Sequence, residues 1–152
     1  MQEFLNGKIT VTDLAVGTAA EHLVCADLLL AGWRAFLADQ NCPYDVAVDV
    51  QGRLVRIQVK ATRGPRWIPY RVNSKDIAAY MWNVRRAGKG GKRIYKDGEF
   101  DLLALVALDL RRIAYLTPEH TKQTIHIRPP GTEGGKHFEH YPFKFAIQEI
   151  CK

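Results

Sequence analysis

Hydrophobic and polar residues alternate almost without interruption between residues 44 and 63, YDVAVDVQGRLVRIQVKATR. β-Branched residues recur at every second position around Gln51-Gly52, and glycine supplies the positive φ that a tight turn needs. The pattern therefore predicts a β-hairpin with a two-residue loop. A three-residue loop would set valines of the apolar face against polar partners, so the two-residue loop is preferred. The apolar face, which is expected to pack against the core, comprises Val46, Val48, Val55, Ile57 and Val59.

The register of this hairpin decides which polar side chains meet on its other face. With a two-residue loop, Val50 lies opposite Arg53. The same register sets Asp45 opposite Gln58, and Lys60 follows two residues later on that face. Opposed Cβ atoms lie about 5 Å apart and diagonal ones roughly 7 Å apart, so a carboxylate, an amide and an ammonium converge. Taken alone, these residues also fit an ordinary solvated strand face with a weak surface ion pair.

Residues 13–33, DLAVGTAAEHLVCADLLLAGW, are apolar nearly all round and predict a largely buried helix that ends at Gly32. Glu21 interrupts this pattern and shares a face with Leu14 and Leu28, each seven residues away. An acid on a buried face needs a cation or a metal nearby. A hydrogen bond from Lys60 or Arg56 would meet that need as well as a metal would.

The rest of the chain predicts an order α-β-β-β-α-β-β and a mixed sheet with helices against it. The remaining predicted elements are a strand at 33–38, a helix at 73–86 capped by Asn73 or Ser74, a doubly buried strand at 101–108, a turn at 109–111, a strand at 112–118, a loop at 129–142 and a strand or short helix at 144–150.

The net charge of +6 is concentrated in one segment. Residues 85–96, RRAGKGGKRIYK, hold six Lys or Arg and no acid; without them the 22 basic residues fall to 16, which matches the 16 Asp and Glu. Three glycines predict a mobile cationic loop suited to phosphates, although a solvated linker has the same composition. The predicted phosphate contacts are Arg85, Arg86, Lys89, Lys92, Arg93 and Lys96, with Arg56 and Arg63 beside the hairpin.

Length and composition bound the class of protein. A chain of 152 residues that is 47% hydrophobic suits a single domain over residues 1–152. Cys25, Cys42 and Cys151 are odd in number and lack CxxC spacing, so neither a disulfide framework nor a zinc site is expected. The N-terminus has no cationic leader before an apolar run, and no apolar run is long enough to span a bilayer. We expect a cytoplasmic protein that does not enter membranes.

The acid that opens one strand and the residue-x-Lys triplet of the next resemble the signature of the PD-(D/E)xK nucleases. Asp45 matches the aspartate of that family and Lys60 its lysine, whereas Gln58 stands where the family usually has Glu or Asp. Tyr44 also separates the proline from the aspartate. The longer pattern over residues 17–63 resembles the homing-type branch in which glutamine replaces the acid, and it continues more loosely over residues 100–118.

The resemblance implies an α/β fold with a restriction-endonuclease-like core, in which helices flank a mixed central β-sheet. It also implies a Mg²⁺-dependent DNA endonuclease. In that family the residues matching Asp45, Gln58 and Glu21 hold the metal, and the lysine matching Lys60 contacts the scissile phosphate. All four residues are therefore candidate catalytic residues.

The replacement of an acid by Gln58 keeps a second hypothesis open, namely a non-catalytic DNA-binding protein on the same fold. A structure-specific Holliday-junction resolvase would use the same site and differ only in substrate, branched rather than linear double-stranded DNA. Because one active site cuts one strand, we expect a homo-oligomer, either a dimer or a tetramer.

Overall fold

The computed structural model describes residues 10–69, 76–84, 86–88, 91–93, 98–118 and 124–152, with backbone alone at 86–88 and 91–93. The helices are α1 (Asp13–Leu30), a 3₁₀ helix (Phe138–His140) and α2 (Phe143–Ile150). The strands are β1 (Arg34–Leu37), β2 (Val46–Val50), β3 (Arg53–Thr62), β4 (Arg66–Pro69), β5 (Asp76–Asn83), β6 (Arg86–Gly88), β7 (Gly91–Arg93), β8 (Leu102–Ala107), β9 (Arg112–Leu116) and β10 (Thr124–Ile127).

A mixed five-stranded sheet in the order β1-β2-β3-β8-β9 forms the centre of the fold. Only the β3–β8 pairing in this sheet is parallel. Helices α1 and α2 pack on one face, and a three-stranded sheet in the order β10-β5-β4 covers part of the other. The predicted α/β class with a mixed sheet and helices against it is confirmed, with both helices on the same side.

The hairpin of β2 and β3 has the predicted register. Val46 pairs with Ile57 and Val50 pairs with Arg53. The two-residue loop has φ of 52° at Gln51 and 85° at Gly52, and positive values at both positions are typical of a type I′ turn. The five apolar residues predicted to face the core are all buried: Val46, Val48, Val55, Ile57 and Val59.

Helix α1 begins and ends close to the predicted positions. The Thr12 hydroxyl oxygen accepts a hydrogen bond from the backbone N–H of Ala15, at 3.1 Å, and so satisfies one donor of the first turn. At the other end, Gly32 takes a φ of +92°, which lets the chain turn out of the helix.

The prediction that this helix is largely buried is wrong. Ala20, Val24 and Leu28 are buried, but the side chains of Leu14 and Leu30 are 82% and 90% exposed. The helix lies on the outside of the sheet, so only one stripe of its surface meets the core. Leu29 is also exposed, whereas Leu23 is partly buried against the core.

The helix predicted over residues 73–86 is also wrong, because residues 76–83 form strand β5. Tyr80 and Trp82, two residues apart, face the main sheet and are each 2% exposed. The Trp82 indole N–H donates to the carbonyl of Val106 at 3.2 Å. Burial of two aromatic side chains on one face, with partners in β4 and β10, outweighs any local preference for a helix.

The later elements follow the prediction more closely. Every residue of β8 is buried, as expected for a strand covered on both faces, and a short turn leads from it into β9. The loop at 129–142 contains the 3₁₀ helix, and residues 143–150 form a helix, which decides between the two alternatives for that segment. The three cysteines are free, and no helix within the described ranges is long and apolar enough to cross a membrane.

Two glycine-to-alanine substitutions should have opposite effects on stability. A Cβ added at Gly52 or at Gly17 meets no atom within 4 Å, so neither change causes a clash. Gly52 has a φ of +85°, and Gly52→Ala should lower the free energy of unfolding by about 1 kcal/mol. Gly17 lies inside α1, where Gly17→Ala should raise it by about 0.5–1 kcal/mol. Urea denaturation of both variants measures the difference, and a shift of the same sign in both would contradict the turn geometry.

Candidate active site

Asp45 lies at the start of β2 and accepts two hydrogen bonds from β3. Its Oδ2 atom accepts from the side-chain Nε2 of Gln58 at 2.7 Å and from the backbone N–H of Val59 at 2.8 Å. The hairpin register therefore brings the predicted carboxylate and amide into direct contact. Both side chains are half-buried.

The two hydrogen bonds leave the other oxygen of this carboxylate available. Both end on Oδ2, and Oδ1 of Asp45 accepts none from the residues that the structure describes. A carboxylate held by one oxygen has a fixed orientation, so the second oxygen is already positioned for a ligand.

The charge environment of Asp45 includes Lys60. Burial raises the pKa of Asp45, while the Val59 N–H and the charge of Lys60 lower it; the balance is a pKa above the usual value. Lys60 is itself half-buried, two residues beyond Gln58 on the same face of β3. The structure thus brings the predicted lysine into the electrostatic range of the predicted aspartate.

Glu21 on α1 also feels the charge of Asp45. Burial raises the pKa of Glu21, the Asp45 carboxylate raises it further, and His22 lowers it. Ala20, the preceding residue, is buried in the core and anchors this turn of the helix. Among the described residues the Glu21 carboxylate forms neither a hydrogen bond nor an ion pair. Two carboxylates from different elements therefore repel each other at the end of the sheet.

The polar face of β3 is not a solvated strand face. Its parallel neighbour β8 sets Leu103 beside Gln58 and Leu105 beside Lys60, and both leucines are fully buried under the second sheet. Gln58 and Lys60 are consequently flanked by core and are only partly accessible. Partial desolvation strengthens the interactions among these groups relative to a surface ion pair.

Arg56, a predicted phosphate contact, is engaged within the protein. Its Nε and Nη2 atoms donate to the two oxygens of Asp101 at 3.1 and 3.2 Å, and its Nη1 atom donates to the carbonyl of Gly98 at 2.6 Å. Burial alone would raise the pKa of Asp101, but the hydrogen bonds and charge of Arg56 hold it below the usual value. This arrangement argues against a phosphate on Arg56. The sequence offered one signal for the pair, an acid directly before the buried strand β8.

Arg63 is more accessible. It pairs with Asp13 at 3.1 Å, and the two side chains are 57% and 104% exposed. A pair this exposed contributes little to stability, so Arg63 can exchange its partner for a phosphate at small cost. The predicted role of Arg63 in binding DNA remains a prediction.

The cationic segment at 85–96 contains an antiparallel ribbon of β6 and β7, where a loop was predicted. The predicted contacts Arg85, Lys89 and Lys96 lie outside the described residues. Arg86, Lys92 and Arg93 lie on the two strands of the ribbon, and for them the structure describes the backbone alone. Their contact with phosphate remains a prediction.

Comparison with solved structures identifies a similar fold. The structure of a bacterial homing endonuclease, I-Ssp6803I, superposes with a TM-score of 0.68. The two sequences are 16% identical, and the match covers 92% of this chain and 96% of that chain. This similarity confirms the restriction-endonuclease-like fold.

Comparison of the sequence with protein families and with curated proteins gives two further results. No curated protein matches the chain significantly. The family model for PD-(D/E)XK endonucleases matches residues 12–141, a span that contains α1, the hairpin and all four candidate residues of the site. The chain belongs to the PD-(D/E)XK endonuclease family.

Proposed function

We propose that the protein is a Mg²⁺-dependent DNA endonuclease of the homing type. Membership of the family implies hydrolysis of phosphodiester bonds in DNA. The observation that carries the proposal is the convergence of Asp45, Gln58 and Lys60 on one face of the hairpin, with Asp45 close enough to Glu21 of α1 to raise the pKa of that carboxyl.

The donors at this site suit a hard divalent cation. Asp45 offers Oδ1, Glu21 offers a carboxylate, and Gln58, which uses its Nε2 toward Asp45, retains its Oε1 as an acceptor. Magnesium prefers oxygen ligands and commonly keeps several waters, so a few protein oxygens are enough. A cation would also relieve the repulsion between the two carboxylates. In the described part of the chain, no three His, Cys, Asp or Glu residues cluster at a metal-binding distance. The protein ligands of the ion would therefore be the amide oxygen of Gln58 and the two carboxylates of Asp45 and Glu21.

Each residue of the site would have its own role in phosphodiester hydrolysis. Bound Mg²⁺ would supply charge stabilisation at the phosphoryl oxygens. Asp45, oriented by Gln58 and the Val59 N–H, would hold its free oxygen toward the bound ion. Lys60 would bind the scissile phosphate and orient the attacking water beside it. Glu21 would provide the second carboxylate from the helix side.

Removal of either charged residue of the hairpin should abolish cleavage. We expect Lys60→Ala and Asp45→Ala to reduce the rate by about 100-fold or more, because each removes a group that acts on the transition state. Nicking of supercoiled plasmid with Mg²⁺, with Ca²⁺ or with EDTA measures this loss, and circular dichroism verifies the fold. Branched DNA serves as a parallel substrate that separates a junction resolvase from an enzyme acting on linear duplex.

Two matched substitutions serve as controls for that experiment. Lys144→Ala removes an exposed lysine of α2, and Asp49→Asn removes a carboxylate from the same strand that Asp45 precedes. Both should retain cleavage. Full activity of purified Lys60→Ala or Asp45→Ala protein would overturn the proposal.

The contribution of Asp45 to the stability of the metal-free protein should fall as the pH rises. The pKa of Asp45 in the folded protein lies above its ordinary value of 3.8, so protonation of Asp45 favours the folded state. The stabilisation from the protonated carboxyl is complete below the pKa that Asp45 has in the unfolded chain. It is lost as the pH rises through the higher pKa that Asp45 has in the folded protein. Asp45→Asn should therefore raise the Tm of metal-free protein at neutral pH by a few degrees and flatten its pH dependence. Calorimetry in EDTA measures both, and added Mg²⁺ should stabilise the wild type but not the variant. A lower Tm for Asp45→Asn in EDTA would contradict the raised pKa of Asp45.

A non-catalytic DNA-binding protein is the second candidate function. It is favoured by the hydrogen bond from Gln58 Nε2 to Asp45, which the acid usual in the family could not donate. The replacement removes a negative charge and so lowers the attraction of the site for Mg²⁺.

Gln58→Glu distinguishes the two candidates. For an endonuclease, the added carboxylate should lower the Mg²⁺ concentration at half-maximal cleavage severalfold, because it restores a charged ligand. Gln58→Met, of similar size without either polar atom, is the matched control and should raise that concentration. Plasmid cleavage over a range of Mg²⁺ concentrations gives the measurement. DNA binding without cleavage by the wild type and by Gln58→Glu would favour the second candidate.

Cleavage of both strands would require at least two protomers, because one active site cuts one strand. We therefore propose a homo-oligomer that acts on DNA in the cytoplasm. The absence of disulfides among Cys25, Cys42 and Cys151 is compatible with that compartment.

A further inference from the structure

Trp67 on β4 has an unusual environment. It pairs with Ala78, so it lies on the same face of the three-stranded sheet as Tyr80 and Trp82. Those two rings are buried against the main sheet at 2% exposure each, whereas Trp67 is 73% exposed. Trp67 therefore extends the inward-facing aromatic row of this sheet to a position that the described residues leave largely uncovered. A large aromatic side chain in such a position is available for contact with a partner.

The chain around Trp67 is cationic. Arg63 and Arg66 precede it and are both exposed. The Nη2 atom of Arg63 donates to the carboxylate of Asp13 and to the carbonyl of Val11, each at 3.1 Å, and both bonds are exposed. Arg66 directly precedes Trp67 on β4, so its side chain lies on the opposite face of the strand. An exposed arginine near an aromatic ring suits a nucleic acid, because the arginine neutralises a phosphate and the ring packs on a sugar.

The position of Trp67 along the chain suits a DNA that is bound at the candidate active site. Seven residues separate Lys60 from Trp67, and this length of chain spans at most about 24 Å. A duplex advances about 3.4 Å per base pair, so a ligand held at Lys60 reaches Trp67 within roughly seven base pairs.

We infer that Trp67, together with Arg63, forms a DNA-binding surface beside the active site. Trp67 packs on a deoxyribose of double-stranded DNA, and Arg63 binds a phosphate. The inference rests on the proposed function, since it places the scissile phosphate at Lys60. The net charge of +6 favours polyanionic DNA as the occupant over a second copy of this chain, which has the same charge.

Tryptophan fluorescence tests this surface directly. Trp82 is buried and Trp33 is half-buried, so a soluble quencher reaches Trp67 more readily than either. We would titrate the wild-type protein with a linear synthetic duplex at low salt, with Ca²⁺ in place of Mg²⁺, and measure quenching by acrylamide. The duplex should suppress the quenching, and the suppression should disappear in Trp67→Phe protein.

The affinity for the same duplex provides a second measurement. Trp67→Ala should weaken binding about tenfold, the size of effect expected when one packed aromatic side chain is lost from an interface. Phe145→Ala is the matched control, because Phe145 on α2 is a comparably exposed aromatic at 56%, and it should leave the affinity unchanged.

Three results would overturn the inference: unchanged affinity in Trp67→Ala, unaltered quenching in the presence of DNA, or the absence of any binding to the duplex. Protection of Trp67 that grows with protein concentration in the absence of DNA would instead assign the surface to contacts between copies of the chain. Protection by DNA in a wild-type protein that fails to cleave would support the surface and contradict only the proposed catalytic function.

Discussion

The register of the β2–β3 hairpin is the constraint on which the candidate site depends. Positive φ values at Gln51 and Gly52 close a two-residue loop, and that loop sets Asp45 against Gln58. A shift of one strand by one residue would turn the valines of that strand outward and move its polar side chain into the core, away from its partner. The same packing that buries the valines therefore positions the carboxylate. Stability of the core and geometry of the site are determined by one local feature of the chain.

Asp101 and Asp45 show how the surroundings of an aspartate distinguish a structural acid from a candidate functional one. Asp101 is matched by the bidentate guanidinium of Arg56, and its pKa is lowered. Asp45 has a neutral amide and a backbone N–H as its hydrogen-bond donors, faces the carboxylate of Glu21, and has a raised pKa. The first acid is paired with a guanidinium inside the protein, whereas burial keeps the pKa of the second raised despite the charge of Lys60, so a bound cation would stabilise its charged form. A carboxyl group whose pKa is shifted by its surroundings is typical of sites that bind cations or carry out catalysis.

The two faces of the main sheet serve different purposes. Helices α1 and α2 bury one face, and α1 also delivers Glu21 to the end of the sheet. The three-stranded sheet covers the other face, where it half-buries Gln58 and Lys60. Desolvation by this second sheet distinguishes the polar face of β3 from a surface patch. Strand β4 of the second sheet carries Trp67 on the face that also bears Tyr80 and Trp82, and most of the Trp67 side chain is exposed.

The sequence by itself determined the elements whose signals are local. Alternation of residue types and a Gln-Gly turn were sufficient for the hairpin and its register, and a continuous apolar run was sufficient for the buried strand β8. The convergence of Asp45, Gln58 and Lys60 followed, because side chains on neighbouring strands are placed by register alone.

Only the tertiary structure decided what depends on contacts distant in the chain. Strand β5 was mistaken for a helix because its partners β4 and β10 and the burial of Trp82 under the main sheet are not visible in a local pattern. The engagement of Arg56 by Asp101 joins residues 45 positions apart, and the exposure of Leu14 and Leu30 depends on what covers α1. Periodicity indicates which residues share a face, but only the packing of the whole chain decides whether that face is buried or free for a ligand.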